Sequence, residues 1–126
     1  MARIRGRNTK PELIVRGVVR KLGLHYRLHV PGLPGKPDLV FSPRKKVIFV
    51  HGCYWHRHSR CRFAYLPKSN VDFWIKKFAA NRNRDRRVQK ELARLGWNVL
   101  IVWECETADT PALEPKIAGF LANADA

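Results

Sequence analysis

The chain has 126 residues, enough for one domain with its own core, and carries 25 Lys+Arg against 10 Asp+Glu, a formal charge of +15. That self-repulsion is kept for a polyanionic partner, and its spread along the whole chain points to nucleic acid over a membrane surface. Three cysteines exclude a secreted disulfide framework, no apolar run approaches membrane-spanning length, and the arginine-rich start lacks a signal-peptide core. The expectation is a cytoplasmic, monomeric single domain over residues 1–126.

Thr9-Lys-Pro-Glu12 opens a helix, with Thr9 as N-cap, Pro11 in the first turn and Glu12 where a capping box wants a carboxylate. Leu13, Ile14, Val18 and Leu22 repeat at helical spacing, and Gly23 ends the element. His25 to Val30 alternates polar and apolar residues as a half-buried strand does, while His25 and His29 read as ordinary polar residues. Pro31 to Pro37 is a rigid Gly/Pro loop. Asp38–Phe41, a turn over Ser42–Lys45 and Val47–Val50 complete an antiparallel meander of three strands. Cys53 to Asn70 is irregular. A long basic helix follows from about Val71 to Leu95, with Phe73, Ile75, Phe78, Val88, Leu92 and Leu95 as candidate core residues. Gly96 closes it. Trp97–Trp103, the most hydrophobic strand, is expected at the centre of the sheet and parallel to a neighbour through the helical crossover. A last helix runs from about Ala112 to Asn123. The order αβββαβα describes an α/β fold, one mixed sheet flanked by helices.

The chemistry gathers in His51 to Cys61, which holds two of the three cysteines and three of the five histidines. Cys53-x4-His58-x2-Cys61 is three quarters of a zinc site, and Cys105 supplies the missing thiolate from a distant segment. Cys53-x2-His56 is also valid ligand spacing, so His56 competes with His58 as the histidine ligand. Asp38, after a Gly/Pro loop and facing a strand that ends at His51, offers a hard cation such as Mg²⁺ an oxygen ligand. No carboxylate or lysine stands at Phe49 or His51, where related nucleases carry their second acid and their lysine. Glu12 is a helix cap, part of that site, or both at once, since a cap places the carboxylate at a helix end near the sheet, and His51 is either a strand-end hydrogen bonder or a site residue. Tyr54-Trp55 is loop packing or an apolar wedge able to unstack a weakened base step.

The blocks Gly35-Lys-Pro-Asp38, His51-Gly-Cys-Tyr-Trp-His56, Phe73-Trp74, Asn81 to Arg87 and Gly96 to Cys105 appear in an order that resembles the very-short-patch-repair (Vsr) mismatch endonucleases, over essentially residues 1–106. The resemblance implies a restriction-endonuclease-like core with a structural zinc site. It implies a Mg²⁺-dependent enzyme that nicks duplex DNA 5′ of the thymine in a T:G mismatch, the product of 5-methylcytosine deamination. It makes Asp38 the Mg²⁺ ligand together with the main-chain carbonyl of Val50, a position where the family often has Thr. It makes His56 the proton acceptor for the attacking water, places His51 and Glu12 in the active site, and assigns Zn²⁺ to Cys53, His58, Cys61 and Cys105. Met1, Tyr54 (Phe in the family), Trp55, Lys77 and Asn81 match positions that meet DNA at the mismatch. Two rivals stand beside this reading: a related homing- or restriction-type nuclease acting on matched DNA, and a decayed DNA-binding module.

Overall fold

The computed structural model describes residues 9–28, 30–54, 56–58, 61 and 64–122. The first helix, α1 (Lys10–Lys21), is capped by Thr9, whose hydroxyl accepts from the Glu12 N–H at 3.4 Å. It ends in a double hydrogen-bonded cap: Gly23, at φ +77°, donates to the Arg20 carbonyl at 2.9 Å and Leu24 to that of Val19 at 3.4 Å. The second helix, α2 (Val71–Arg94), ends the same way, with Gly96 at φ +89° donating to Ala93 and Trp97 to Leu92. The third, α3 (Thr110–Ala122), packs beside α1. Its C-terminal carbonyls are capped from the Ser42–Arg44 turn and the strand after it: Arg44 donates to the Leu121 carbonyl at 2.8 Å and the buried Lys46 amino group to that of Phe120 at 2.8 Å. None of these helices is long and apolar enough to cross a membrane.

Strands β1 (Arg27–Leu28), β2 (Leu39–Phe41), β3 (Lys46–His51) and β4 (Asn98–Trp103) form one sheet in the order β1-β2-β3-β4. The first two pairings are antiparallel and β3–β4 is parallel, through the α2 crossover. The sheet is mixed and lies between helices on both faces, as expected. Alternation along the strands sorts the core. Leu39, Phe41, Ile48 and Val102 meet Val15, Val19, Leu113, Ile117 and Leu121 of α1 and α3. Val40, Val47 and Phe49 meet Leu92 and Val88 of α2, together with Val99 and Ile101 of β4.

Three expectations need correction. Trp97–Trp103 is not central: β4 ends the sheet, paired with β3 alone, because the hairpin partner β2 holds the other side of β3. Its hydrophobicity reflects partial cover on both faces, Leu100 and the buried Val102 against one core and Val99 and Ile101 against the other, not two strand neighbours. Among the described residues the strand expected over His25–Val30 shrinks to Arg27–Leu28, which pairs with Val40 and Leu39 of a β2 that begins only after Pro37. Its Leu28 is exposed, while Tyr26 packs near the Phe41 ring at 6.5 Å. On α2, Phe73, Ile75 and Leu95 are about half exposed (59%, 50% and 49%) and not core. The sheet meets only the C-terminal half of α2, through Val88 and Leu92, whereas Phe78 of the N-terminal half packs on the loop after β3.

Candidate active site and metal cluster

The parallel register builds both sites at once. His51 lies opposite Trp103, so Cys53 and Cys105, each two residues beyond, leave the sheet together. Cys53, His58, Cys61 and Cys105 bring one ligand atom each to within 4.8 Å of one another. The His58 Nδ1 atom lies 3.7 Å from the Cys53 sulfur and 3.5 Å from that of Cys105, and the Cys105 N–H points at the Cys53 sulfur at 3.4 Å. Burial pushes the Cys53 thiol up to about 12, and burial and the neighbouring Cys61 raise that of Cys105. A cation is what such a set of thiols calls for, and three sulfurs with one imidazole suit a closed tetrahedral metal site. Of the two competing histidines the cluster takes His58, since His56 faces away toward α2.

A cleft of about 230 Å³ opens on the α2 side of the sheet, lined by Asp38, Val50, His51, His56 and Asp85, with Lys36, Arg84 and Gln89. Asp38 sits at the start of β2, its N–H donating to the Ile48 carbonyl at 3.1 Å and its carboxylate accepting from the Val50 N–H at 2.7 Å. Burial, offset in part by that hydrogen bond, raises its pKa from an ordinary 3.8 to about 7, and the Glu12 carboxyl beside it pushes the same way. Glu12 lends its N–H to the Thr9 cap of the helix and turns its side chain elsewhere. It is buried at 1% exposure, paired with Arg16 one turn on, and its carboxyl meets that of Asp38. Two buried carboxyls in contact are poorly stable unless protonated or bridged by a cation. The Val50 N–H is fixed by Asp38, and the Asp38 and Glu12 carboxyls are oxygen groups of the kind that could hold a hard cation.

His56 pairs through Nδ1 with Asp85 of α2 at 2.7 Å. The His51 ring stacks on that of His56, centroids 3.8 Å apart and planes 9° from parallel. Burial and the neighbouring His56 lower the His51 pKa to about 4, so His51 is neutral at physiological pH. Its Nδ1 atom is buried with no hydrogen-bond partner among the described residues, a polar atom that lacks the ligand such burial normally requires.

The DNA-facing candidates divide. Tyr54 is half-buried in an aromatic cluster, its ring 5.0 Å from Tyr65, 6.4 Å from Trp74 and 5.2 Å from Phe78, with the Arg57 guanidinium 5.5 Å above it. Lys77 is exposed on α2, and the half-buried Asn81 accepts from Arg84 at 2.6 Å. Met1 and Trp55 lie outside the described residues, as does His29. Sequence reasoning missed Asp85, an acid within the run Arg82 to Arg87 that resembles a solvated face. A signal existed, since Asp85 is seven residues from both Phe78 and Leu92 and shares their inward face.

The first 62 residues match the family model described as DNA mismatch endonuclease Vsr. Over 121 residues the chain is 48% identical to the type II nicking enzyme V.XorIIP of Xanthomonas oryzae pv. oryzae, covering 96% of this chain and 88% of that relative. It is 39% identical to the DNA mismatch endonuclease Vsr of Escherichia coli over 133 residues, covering 98% of this chain and 85% of that one. The chain belongs to the Vsr endonuclease family. It is a DNA endonuclease, and its Vsr fold extends to a solved structure, the catalytic domain of the homing endonuclease I-Bth0305I. The two superpose at a TM-score of 0.62, with 23% identity, over 90% of this chain and 94% of that one.

Proposed function

We propose that this Vsr-family chain nicks one strand of duplex DNA on the 5′ side of the thymine in a T:G mismatch, using Mg²⁺. The observation that carries the reading is the cleft itself: Asp38, backed by the buried Glu12 carboxyl, and a His56–Asp85 pair line one opening in a strongly basic protein. Asp38 and the Val50 carbonyl would hold Mg²⁺, with Glu12 beside them. Mg²⁺, when bound, supplies positive charge against the phosphate oxygens and the leaving 3′ oxygen.

The protein's own part follows from its hydrogen bonds. Asp85 accepts the Nδ1–H of His56, which leaves Nε2 as the basic atom of the ring. His51, neutral and stacked on His56, fixes the plane of that ring without competing for a proton. Water attacks phosphorus, its proton passes to His56 Nε2, the bond from phosphorus to the 3′ oxygen breaks, and that oxygen takes a proton from solvent. The products are a 5′-phosphate and a 3′-hydroxyl. Zn²⁺ at Cys53, His58, Cys61 and Cys105 would be structural, since four protein ligands leave no open position.

Recognition rests on Tyr54 and Trp55 as the wedge, Met1 from the opposite side, and Lys77 and Asn81 near the mismatched pair. Tyr54 would have to leave the cluster of Tyr65, Trp74 and Phe78 to enter a duplex, and a T:G step lowers the cost of opening the stack. The same reading takes residues 1–126 as one domain, acting as a monomer in the cytoplasm. The relatives named as nicking enzymes support cleavage of one strand. The deciding experiment follows labelled duplexes carrying T:G, C:G or T:A at one position, with and without Mg²⁺. Nicking confined to T:G with Mg²⁺ is expected. Equal nicking of matched DNA would replace the mismatch reading with the homing- or restriction-type one, and binding without nicking would replace it with the decayed module.

A further inference from the structure

Acid gathers where an anionic substrate must enter: Asp38 and Asp85 line the cleft, Glu12 backs Asp38, and His51 is uncharged. Strand β3 ends in Phe49-Val50-His51 and brings no lysine. Two cations line the opening, Lys36 from the loop before β2 and Arg84 from α2. Arg84 is already engaged with Asn81 at 2.6 Å. Lys36 is held in a different way. Its neighbour Gly35, at φ +73°, is pressed so closely on α2 and β3 that a Cβ there would lie 2.4 Å from a Val88 methyl and 3.3 Å from the Phe49 ring. Only glycine fits, and the loop is thereby pinned against the wall of the cleft. Lys36 follows at φ +50°, its N–H donating to the Leu33 carbonyl at 3.3 Å, and Pro37 behind it is buried. A lysine rarely adopts that left-handed backbone, which glycine or asparagine takes without strain. Unfavourable residues persist in such conformations where the side chain has a task, and here the side chain borders the cleft.

We propose that Lys36 is a catalytic residue whose ammonium contacts the phosphate being cut. It stabilises the negative charge that grows on the non-bridging oxygens as water attacks, from the loop before β2 and not from the end of β3. The assignment rests on the active site proposed above. Its test uses Lys36→Gly and Lys36→Asn, both suited to the left-handed backbone, with Lys36→Arg as the charge-preserving variant. Single-turnover nicking of a T:G duplex by saturating, zinc-loaded protein is compared with the Kd of the same duplex. Glycine and asparagine variants should nick about a hundredfold more slowly, the loss seen when one aimed electrostatic donor is removed. Their Kd should rise less than about fivefold, with a salt slope shallower by about one ion. Lys36→Arg should recover to within about tenfold of the wild-type rate, since a cation remains at the position. Nicking by Lys36→Gly within about threefold of wild type would overturn the assignment, being too small a loss for a lost oxyanion contact. So would an equal loss in Lys36→Arg and Lys36→Gly at unchanged Tm. Asp38→Asn runs alongside: if it still nicks, the active site itself is misassigned. If it is inactive while Lys36→Gly keeps wild-type speed, the role of Lys36 alone falls.

Discussion

Replacing Asp38 by Asn should make the protein more stable in the absence of a divalent cation and, at the same time, inert. Asp38 ionises only at about 7 in the folded chain against 3.8 ordinarily, because burial and the adjoining Glu12 carboxyl oppose its charge. Between those two pH values the folded state keeps a proton that the unfolded state has released. Stability therefore falls as pH rises from about 4 to about 7 and stays lowered above that. The full shift corresponds to about 4 kcal/mol at 1.36 kcal/mol per pKa unit. Solvent at the cleft mouth screens part of this, so about 2–3 kcal/mol is the working figure. For a chain of this size that is a rise in Tm on the order of 10 °C. Asparagine keeps an oxygen for the Val50 N–H and removes the charge facing Glu12. The assay is thermal unfolding of zinc-loaded wild type and Asp38→Asn at pH 4.5, 6 and 8, without and with added Mg²⁺. The gap should open with pH and narrow on adding Mg²⁺, which only the wild type binds well. His51 titrates in an overlapping range with the opposite sign: its pKa is lowered to about 4, so its contribution is lost as pH falls below about 6.5. The difference between the two proteins cancels that term. A variant no more stable than wild type at pH 8, or a gap unchanged between pH 4.5 and 8, would refute the picture of a carboxyl pair waiting for a cation.

Cys105→Ser should lower bound zinc below one equivalent and depress Tm, because ligands on distant segments make binding energy part of folding energy; elemental analysis with calorimetry checks both. His56→Ala should abolish nicking and Asp85→Asn should slow it about 10²–10⁴-fold by upsetting the tautomer, each with duplex affinity near wild type in a gel-shift assay. Trp55→Ala should lose mainly the preference for T:G over matched DNA, while Arg86→Ala and Arg87→Ala on the exposed side of α2 weaken all duplexes alike and flatten the salt dependence. Equal loss on both duplexes for Trp55→Ala would make that aromatic a packing residue.

What the sequence made legible is local or chemical. Thr9, Gly23 and Gly96 mark helix ends because capping needs a particular side chain or a positive φ at one place. The Cys53, His58, Cys61 and Cys105 set is legible because few structural tasks other than metal binding ask for thiolates and imidazole together. What stayed hidden depends on who sits next to whom. The hydrophobicity of β4 reports two covered faces and is silent about its edge, so its place in the sheet could not be read. Phe73 and Ile75 fit a helical stripe, yet the sheet stops short of their end of α2. The contact of Glu12 with Asp38, 26 positions away, is one that no local pattern encodes.

The Cys/His cluster and the cleft are also one packed unit, which gives an endonuclease of this size a reason to carry a metal-binding set beside its chemistry. The His58 ring, a member of the cluster, stacks on Trp103 at 4.3 Å and 13°. Trp103 meets His51 edge-on at 5.3 Å, and His51 stacks on His56 at 3.8 Å. Four rings thus run in contact from cluster to cleft. The backbone repeats the link, since the His56 N–H donates to the Gly52 carbonyl at 3.1 Å and that of His58 to Cys53 at 3.0 Å. His56 lies between two cluster residues in a segment without regular structure, where ordering the chain costs about 1–2 kcal/mol per residue. With the cluster closed, much of that ordering is done before DNA arrives, and Asp85 completes it from the α2 side. A positioned base must lie within about 0.5 Å of its productive place to keep its full effect. Loosening the cluster should therefore cost rate as well as stability, which is why the expected loss of Tm in Cys105→Ser comes with a loss of nicking below its unfolding temperature.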